Sequence, residues 1–201
     1  MKIGIMGGSF NPVHIGHLMV ADYIRQHAGL DRVLMILSPL NPLKAGSSEL
    51  VDDRRRLQML DIACRQYDGL YASDVELNMP RPSFTIDTLN LIRQHAAPSD
   101  ELFLIIGGDN WQVFDKWKAY DEILRGYKVI VFPRNAPSSA TCAPSPSLAS
   151  LPRPIFIDAP KIDISSTFIR NQISEGYNMD TFLPKGVFDY IKNQQLYGYH
   201  S

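Results

Sequence analysis

What constrains this chain most is an apolar run that ends in a glycine pair. Ile3 to Met6 can form only a short buried strand. Gly7-Gly8-Ser9-Phe10-Asn11-Pro12-Val13-His14-Ile15-Gly16-His17-Leu18 follows it at once. Leu18, Ala21, Ile24 and Ala28 then recur at helical spacing. A strand that turns sharply into a helix is the unit of an open α/β sheet, and such sheets take ligands beyond the carboxyl ends of their strands. Glycines let main-chain N–H groups approach an anion closely, and the start of a helix adds unpaired donors. With a helix beginning near Val13 or His14, the two histidine rings share one face by its N-terminus.

This turn lacks the third glycine of a dinucleotide fingerprint, and no Gly-Lys-Ser/Thr follows as in a Walker A loop. Two imidazoles over a glycine turn form a cluster of donors for phosphate oxygens. The alternatives are two surface histidines, or half of a metal site. A metal would want a third ligand, and His27, His95 and His200 sit in no ligand-like spacing.

The rest of the chain keeps alternating strand and helix. Arg32 to Leu37 reads as a second strand, followed by a loop carrying Asn41 and Lys44; Lys44 is either a phosphate contact or a solvated lysine. Asp52 to Arg65 reads as an amphipathic helix, with Leu57 and Leu60 inward and Arg54, Arg55 and Arg56 on a solvated face. Leu70 to Leu77 reads as a strand, and Ser83 to His95 as a helix with Thr85, Asp87 and Thr88 near its start. Glu101 to Ile106 is a buried strand ending in Gly107-Gly108-Asp109-Asn110. Trp111 to Arg125 follows as one helix or two short ones, then Tyr127 to Phe132 as the fifth strand and Ile155 to Ile157 as a short sixth. One helix opens at Asp163–Arg170 and is closed by Gly176; a final helix is expected over Leu183 to Gln194.

This alternation implies an α/β fold. We expect a Rossmann-like, doubly wound, mainly parallel sheet with helices on both faces and a small C-terminal helical part over 165–201, in one domain over 1–201. Ala136 to Pro154 stands apart. Fourteen of these nineteen residues are Ala, Pro or Ser, so a mobile loop or irregular surface excursion that buries little is expected there.

Composition excludes several classes. A formal net charge of −1 over 201 residues gives no global field for nucleic acid or anionic membrane. Cys64 and Cys142 do not suggest a disulfide framework, and the N-terminus has no secretory apolar region. A cytoplasmic protein is expected; a homo-oligomer is left open.

A second anion site lies far along the chain. Ile164-Ser165-Ser166-Thr167 opens a helix with hydroxyls and unpaired N–H groups, and Arg170 adds a charge one turn later. An ordinary N-cap explains the serines equally well, and the two roles are compatible.

Together these stretches resemble a known family. The turn through His14 and His17 resembles the T/HxGH signature of the nucleotidyltransferase superfamily, and Ile164–Arg170 its ISSTxxR partner. Pro82–Leu89 is similar to the PSYTxDTL segment of bacterial nicotinate-nucleotide adenylyltransferases. Ile106–Asn110 with Trp117 is similar to their IGxD…W segment, and Val187–Tyr197 to their last helix and tail. Asn11 stands where that family usually has Asp, and Asn41-Pro42-Leu43-Lys44 where it has PPHK or PPHR.

The resemblance implies adenylyl transfer from ATP to nicotinate mononucleotide, giving deamido-NAD and pyrophosphate in NAD biosynthesis. It implies catalytic roles for His14, His17, Lys44 and Arg170. ATP is expected on Gly7, Gly8, Ser9, Phe10, His14, His17, Ile164, Ser165, Ser166, Thr167 and Arg170. The mononucleotide is expected on Asn41, Lys44, Thr85, Asp109 and Trp117. Mg²⁺ is expected to arrive on ATP with mostly water ligands, without a dedicated protein cage. Asp109 is open between a helix cap and a contact to ribose, water or metal; Trp117 is open between core packing and stacking on a pyridine ring. Other readings are an adenylyltransferase for nicotinamide mononucleotide or phosphopantetheine, and a non-catalytic nucleotide-binding protein.

Overall fold

Six parallel strands form one sheet in the order β3-β2-β1-β4-β5-β6. They are β1 (Lys2–Gly8), β2 (Arg32–Leu37), β3 (Leu70–Ser73), β4 (Glu101–Gly107), β5 (Lys128–Phe132) and β6 (Ile155–Phe156). The structure is a computed structural model and describes residues 1–39, 50–133 and 148–200. Lys2 pairs with Glu101 and Ile3 with Arg32, which puts β1 between β2 and β4. Strand order reverses there, so the switch point of the sheet lies between β1 and β4.

Both faces of the sheet are covered, as the continuous apolar runs require. Met6, Val33, Met35, Leu37, Phe103, Ile105, Ile130 and Phe132 belong to one core cluster. Their alternating neighbours Ile3, Ile5, Ile36, Leu102, Leu104, Ile106, Val129 and Val131 belong to the other. This is the period of two that a strand imposes. On the first face lie α1 (Ile15–His27), α2 (Asp53–Cys64), α6 (Ser166–Ser174) and α7 (Val187–Asn193). On the second lie α3 (Thr85–His95), α4 (Gly108–Trp111) and α5 (Tyr120–Gly126). The sheet is therefore fully parallel and doubly wound.

Several boundaries move, each for a local reason. The strand expected over Leu70 to Leu77 stops at Ser73, and a 3₁₀ turn at Val75–Asn78 buries Glu76. The helical stretch expected over Trp111 to Arg125 divides into α4, a 3₁₀ turn at Phe114–Lys116, and α5, with Ala119 left-handed at φ 51° between the last two. The last helix begins at Val187 rather than Leu183, because Gly186 precedes it at φ 82°. Leu148 lies within the Ala/Pro/Ser-rich stretch yet is buried against the second core cluster. Residues 136–147 of that stretch lie outside the described residues.

Arg56 is the largest departure from the expected solvated face. It is 0% exposed. The side chain points inward beside Met59, Leu60 and Ala63, which are also buried.

The two clusters are separated by the sheet, so truncations in them should act independently. Leu60→Ala on α2 and Leu89→Ala on α3 should each cost about 2–5 kcal/mol. The double variant should lose the sum of the two within about 0.5 kcal/mol. Urea denaturation of the four proteins measures this.

Candidate active site

The Gly-Gly-Ser-Phe turn leaves β1 at the switch point and has little freedom. A Cβ on Gly8 would sit 2.8 Å from Phe10 Cζ, so the buried Phe10 ring packs directly against the Gly8 backbone. Phe10 holds φ 42°, a left-handed geometry that is strained for an aromatic residue. Its ring meets His17 edge to face at 5.1 Å between centroids.

Both histidines are built into the start of α1. His14 is the N-cap residue, in extended conformation and buried. Its main-chain N–H donates to His17 Nδ1 at 3.2 Å, and the two rings stack at 3.7 Å. An N–H can only donate, so His17 Nδ1 is the acceptor nitrogen. A neutral His17 therefore carries its proton on Nε2, a fixed tautomer of the kind that orients a catalytic imidazole.

The second signature docks onto this turn from the other end of the chain. Ser166 Oγ donates to Pro12 O at 2.8 Å across 154 residues. Arg170 Nη1 donates to Asn11 O at 3.0 Å and Nη2 to Thr167 Oγ1 at 3.5 Å. Ser165 is the N-cap of α6, its Oγ accepting from Phe168 N–H at 3.1 Å. So of the candidate hydroxyls, Ser165 caps and Ser166 joins the helix to the turn. Asn11 Oδ1 accepts from Tyr197 O–H at 2.9 Å and from Val51 N–H at 3.4 Å, drawing in the C-terminal tail and the approach to α2. Burial pushes the Tyr197 hydroxyl above its usual pKa, against the opposing pull of Arg170 and Arg56. It therefore stays a donor to Asn11.

Two cavities flank the turn. The smaller, of about 50 Å³, is bordered by His14, His17, Lys161, Ile162, Ile164 and Pro133. The larger, of about 210 Å³, lies on the other side. Gly7, Gly8 and Ser9 form its floor, with Thr85 from α3 and Trp117 from the segment before α5 at its wall. Trp117 is half-buried, its ring 5.1 Å from that of Phe114, so it serves core and cavity together. Asp109 sits in α4 between Gly107 and Asn110, which border the larger cavity, but is not itself part of the wall. Its Oδ1 is shielded from solvent and has no hydrogen-bond partner among the described residues. Asn41 and Lys44 lie outside the described residues.

Other residues here escaped the sequence reading. Glu76 is buried at the larger cavity and accepts from Ser83 Oγ at 3.1 Å and Thr88 Oγ1 at 2.8 Å, which fixes the entry to α3. Lys116 and Lys118 flank Trp117 on the wall. Lys118 Nζ lies 2.8 Å from Asp87 Oδ2 and 4.6 Å from the centre of the Phe84 ring, bridging the segments that carry Trp117 and Thr85. Lys161 borders the smaller cavity beside the histidines. Single lysines in loops carry no periodic signal. Only the nearness of Lys116 and Lys118 to Trp117 in sequence, and of Lys161 to Ile164, pointed toward them. Among the described residues, no group of three His, Cys, Asp or Glu side chains gathers as a metal site, and no helix is long and apolar enough to cross a membrane.

Relatives share this whole chain. The family model described as cytidylyltransferase-like matches residues 5–172. The probable nicotinate-nucleotide adenylyltransferase of Flavobacterium johnsoniae is 41% identical over 98% of this chain and 99% of its own length. That of Bacteroides fragilis is 41% identical over 96% of this chain and 92% of its own length. The chain belongs to the nicotinate-nucleotide adenylyltransferase family. The nicotinic acid mononucleotide adenylyltransferase of Plasmodium falciparum, complexed with NaAD, superposes with TM-score 0.76 at 20% identity, covering 99% of this chain and 98% of that one. At that identity the likeness shows the same fold.

With its tautomer fixed beside the turn, His17 should act in the transition state more than in nucleotide binding. His17→Ala should lose roughly 3–4 kcal/mol in the barrier, as for removal of one oxyanion donor. Steady-state kinetics beside calorimetric ATP titration checks this: kcat should collapse while ATP affinity changes only a few-fold.

Proposed function

We infer that the chain transfers the adenylyl group of ATP to nicotinate mononucleotide, giving deamido-NAD and pyrophosphate. The observation that carries this reading is the pair of cavities bordering one glycine turn, in a chain that is 41% identical to a probable nicotinate-nucleotide adenylyltransferase over nearly its full length. The larger cavity is assigned to the acceptor's ring, and the adenosine to the side of the turn that the smaller one marks. The reacting phosphates meet between them, over Gly8, His14 and His17.

The acceptor's 5′-phosphate oxygen attacks the α-phosphorus of ATP. A new P–O bond forms as the bond from the α-phosphorus to the bridging oxygen breaks, and pyrophosphate leaves with that electron pair. The second pKa of a phosphate monoester is about 6, so the nucleophile is already largely a dianion and needs no general base. The barrier is the mutual repulsion of two polyanions. It falls through in-line positioning and donors aimed at the charge that develops. Gly7, Gly8, Ser9 and Phe10 offer main-chain contacts to the nucleotides. His14 and His17 donate to the phosphates, with His17 Nε2 at the α-phosphate. Arg170 and the start of α6, from Ile164 through Thr167, hold the β- and γ-phosphates, with Lys44 as a further cation. Lys161, beside the histidines, joins this positive edge.

Mg²⁺ bound to the phosphates of the ATP substrate would supply charge neutralisation for the leaving pyrophosphate. Asp109, next to the cavity-lining Asn110, is assigned to a ribose hydroxyl or to a water on that ion.

The nicotinate ring belongs in the larger cavity, where Trp117 stacks on it and Thr85 supplies a hydroxyl. The carboxylate can take the Thr85 hydroxyl and the positive charge of Lys116 on this wall, while Lys118 is paired with Asp87 and the Glu76 oxygens are turned to Ser83 and Thr88.

Purified protein given ATP and either mononucleotide provides the test. The acid should be preferred over the amide by about tenfold or more in kcat/KM, roughly 1.4 kcal/mol. Trp117→Ala should weaken both acceptors, whereas Thr85→Val and Lys118→Met should mainly erode the preference. Equal use of the two would contradict the nicotinate assignment. Failure to release pyrophosphate with either would contradict the enzyme reading.

A further inference from the structure

We propose that Arg56 is a positioning residue for the phosphate-bearing turn, holding the Ser9 and Ser38 carbonyls so that the turn's N–H groups face the nucleotide phosphates. This rests on the adenylyl-transfer reading above.

The side chain never reaches the cavity; it is 0% exposed. A guanidinium has five N–H donors, and here they meet five acceptors. Nε donates to Val51 O at 2.8 Å. Nη1 donates to Ser9 O and, at 3.2 Å, to Ser38 O. Nη2 donates to Pro39 O at 3.5 Å and to Asp53 Oδ1. Asp53 Oδ2 in turn receives Arg81 Nη2 at 2.7 Å. Four of the five acceptors are main-chain carbonyls. They come from the exit of β1, the exit of β2 and the approach to α2, all at the ligand edge of the sheet.

A buried cation of this kind is a poor source of stability, since apolar side chains of similar volume often serve as well or better. What only the planar fork supplies is simultaneous control of several carbonyls. In a trans peptide the C=O and N–H point in opposite directions. Holding Ser9 O on Arg56 therefore turns Phe10 N–H away from the guanidinium. Ser9 and Ser38 both border the larger cavity, and Ser38 N–H donates to Gly8 O at 2.9 Å. Released carbonyls at that place would oppose an incoming phosphate. The left-handed Phe10, at φ 42°, is a strained residue that such contacts keep in place.

The test compares Arg56→Lys, Arg56→Met and Asp53→Asn with the parent protein. Folded fraction and Tm are measured first, then ATP affinity by calorimetry, and kcat and KM per folded molecule. Arg56→Lys keeps the charge and loses the fork; it should fall about 100-fold in kcat/KM, the size expected of an ångström-scale misplacement. Asp53→Asn keeps the guanidinium but weakens its anchor. It should remain folded, lose about tenfold or less, and exchange the amides of residues 7–13 faster. Parent-like ATP affinity, kcat and KM per folded molecule in Arg56→Lys would overturn the proposal and leave Arg56 a stability element. Should both Arg56 variants fail to fold, Asp53→Asn decides alone, parent-like kinetics and exchange overturning it. A parent that binds ATP but makes no deamido-NAD would defeat the functional reading, while the ATP affinities would still judge Arg56.

Discussion

Two arginines, one from α2 and one from α6, hold main-chain oxygens of one turn. Arg56 takes the carbonyl of Ser9, and Arg170 takes the carbonyl of Asn11. Between them the backbone passes through Phe10 in a left-handed conformation. The turn sits at the end of the central strand, where neighbouring strands are added in opposite directions. Everything proposed for phosphate chemistry depends on this short loop keeping its carbonyls away from the cleft and its N–H groups toward it. The same contacts join distant parts of the chain. Arg170 brings α6, Tyr197 brings the C-terminal tail, and Arg56 brings the entrance to α2.

The electrostatic logic follows from the ligands. Two polyanions must lie nose to tail, so the site needs fixed donors and positive charge without a net positive protein. A formal charge of −1 over the whole chain is compatible with that, because several cations border the cleft. Lys116 and Lys118 stand at the larger cavity, Lys161 at the smaller one beside the histidines, and Arg170 on the turn itself. Surface charges of this sort contribute little to stability. Their effect is on the ligands, through potential concentrated in a concave site.

Much of the fold could be read in the sequence because its signals are periodic. Runs such as Glu101 to Ile106 admit only a buried strand, and alternation of strands with helices leaves few topologies. The paired signatures at His14/His17 and at Ile164–Arg170 could be read as helix starts rich in donors, and the structure joins them through Ser166 and Pro12. Arg56 could not be read. Three consecutive arginines look like a solvated face, and nothing local shows that the third turns inward to carbonyls as far away as Ser9. Glu76 was hidden for a similar reason. Its partners Ser83 and Thr88 lie in the next helical unit, so a strand-like pattern masked a 3₁₀ turn. The break at Ala119 likewise depends on a left-handed residue that carries no glycine signal. Long-range hydrogen bonds and single backbone reversals leave little trace in residue order.

The central claim is one of arrangement: acceptor and adenosine occupy different cavities, with the phosphates crossing the turn between them. A crystal structure of this protein with deamido-NAD tests it most directly. The account requires the nicotinate ring between Trp117 and Thr85, and the pyrophosphate bridge over Gly8 within hydrogen-bond reach of His17 Nε2. The adenosine should then lie toward Ile162 and Ile164. A dinucleotide bound in the reverse sense, or with its phosphates away from the Gly7–His17 turn, would contradict it.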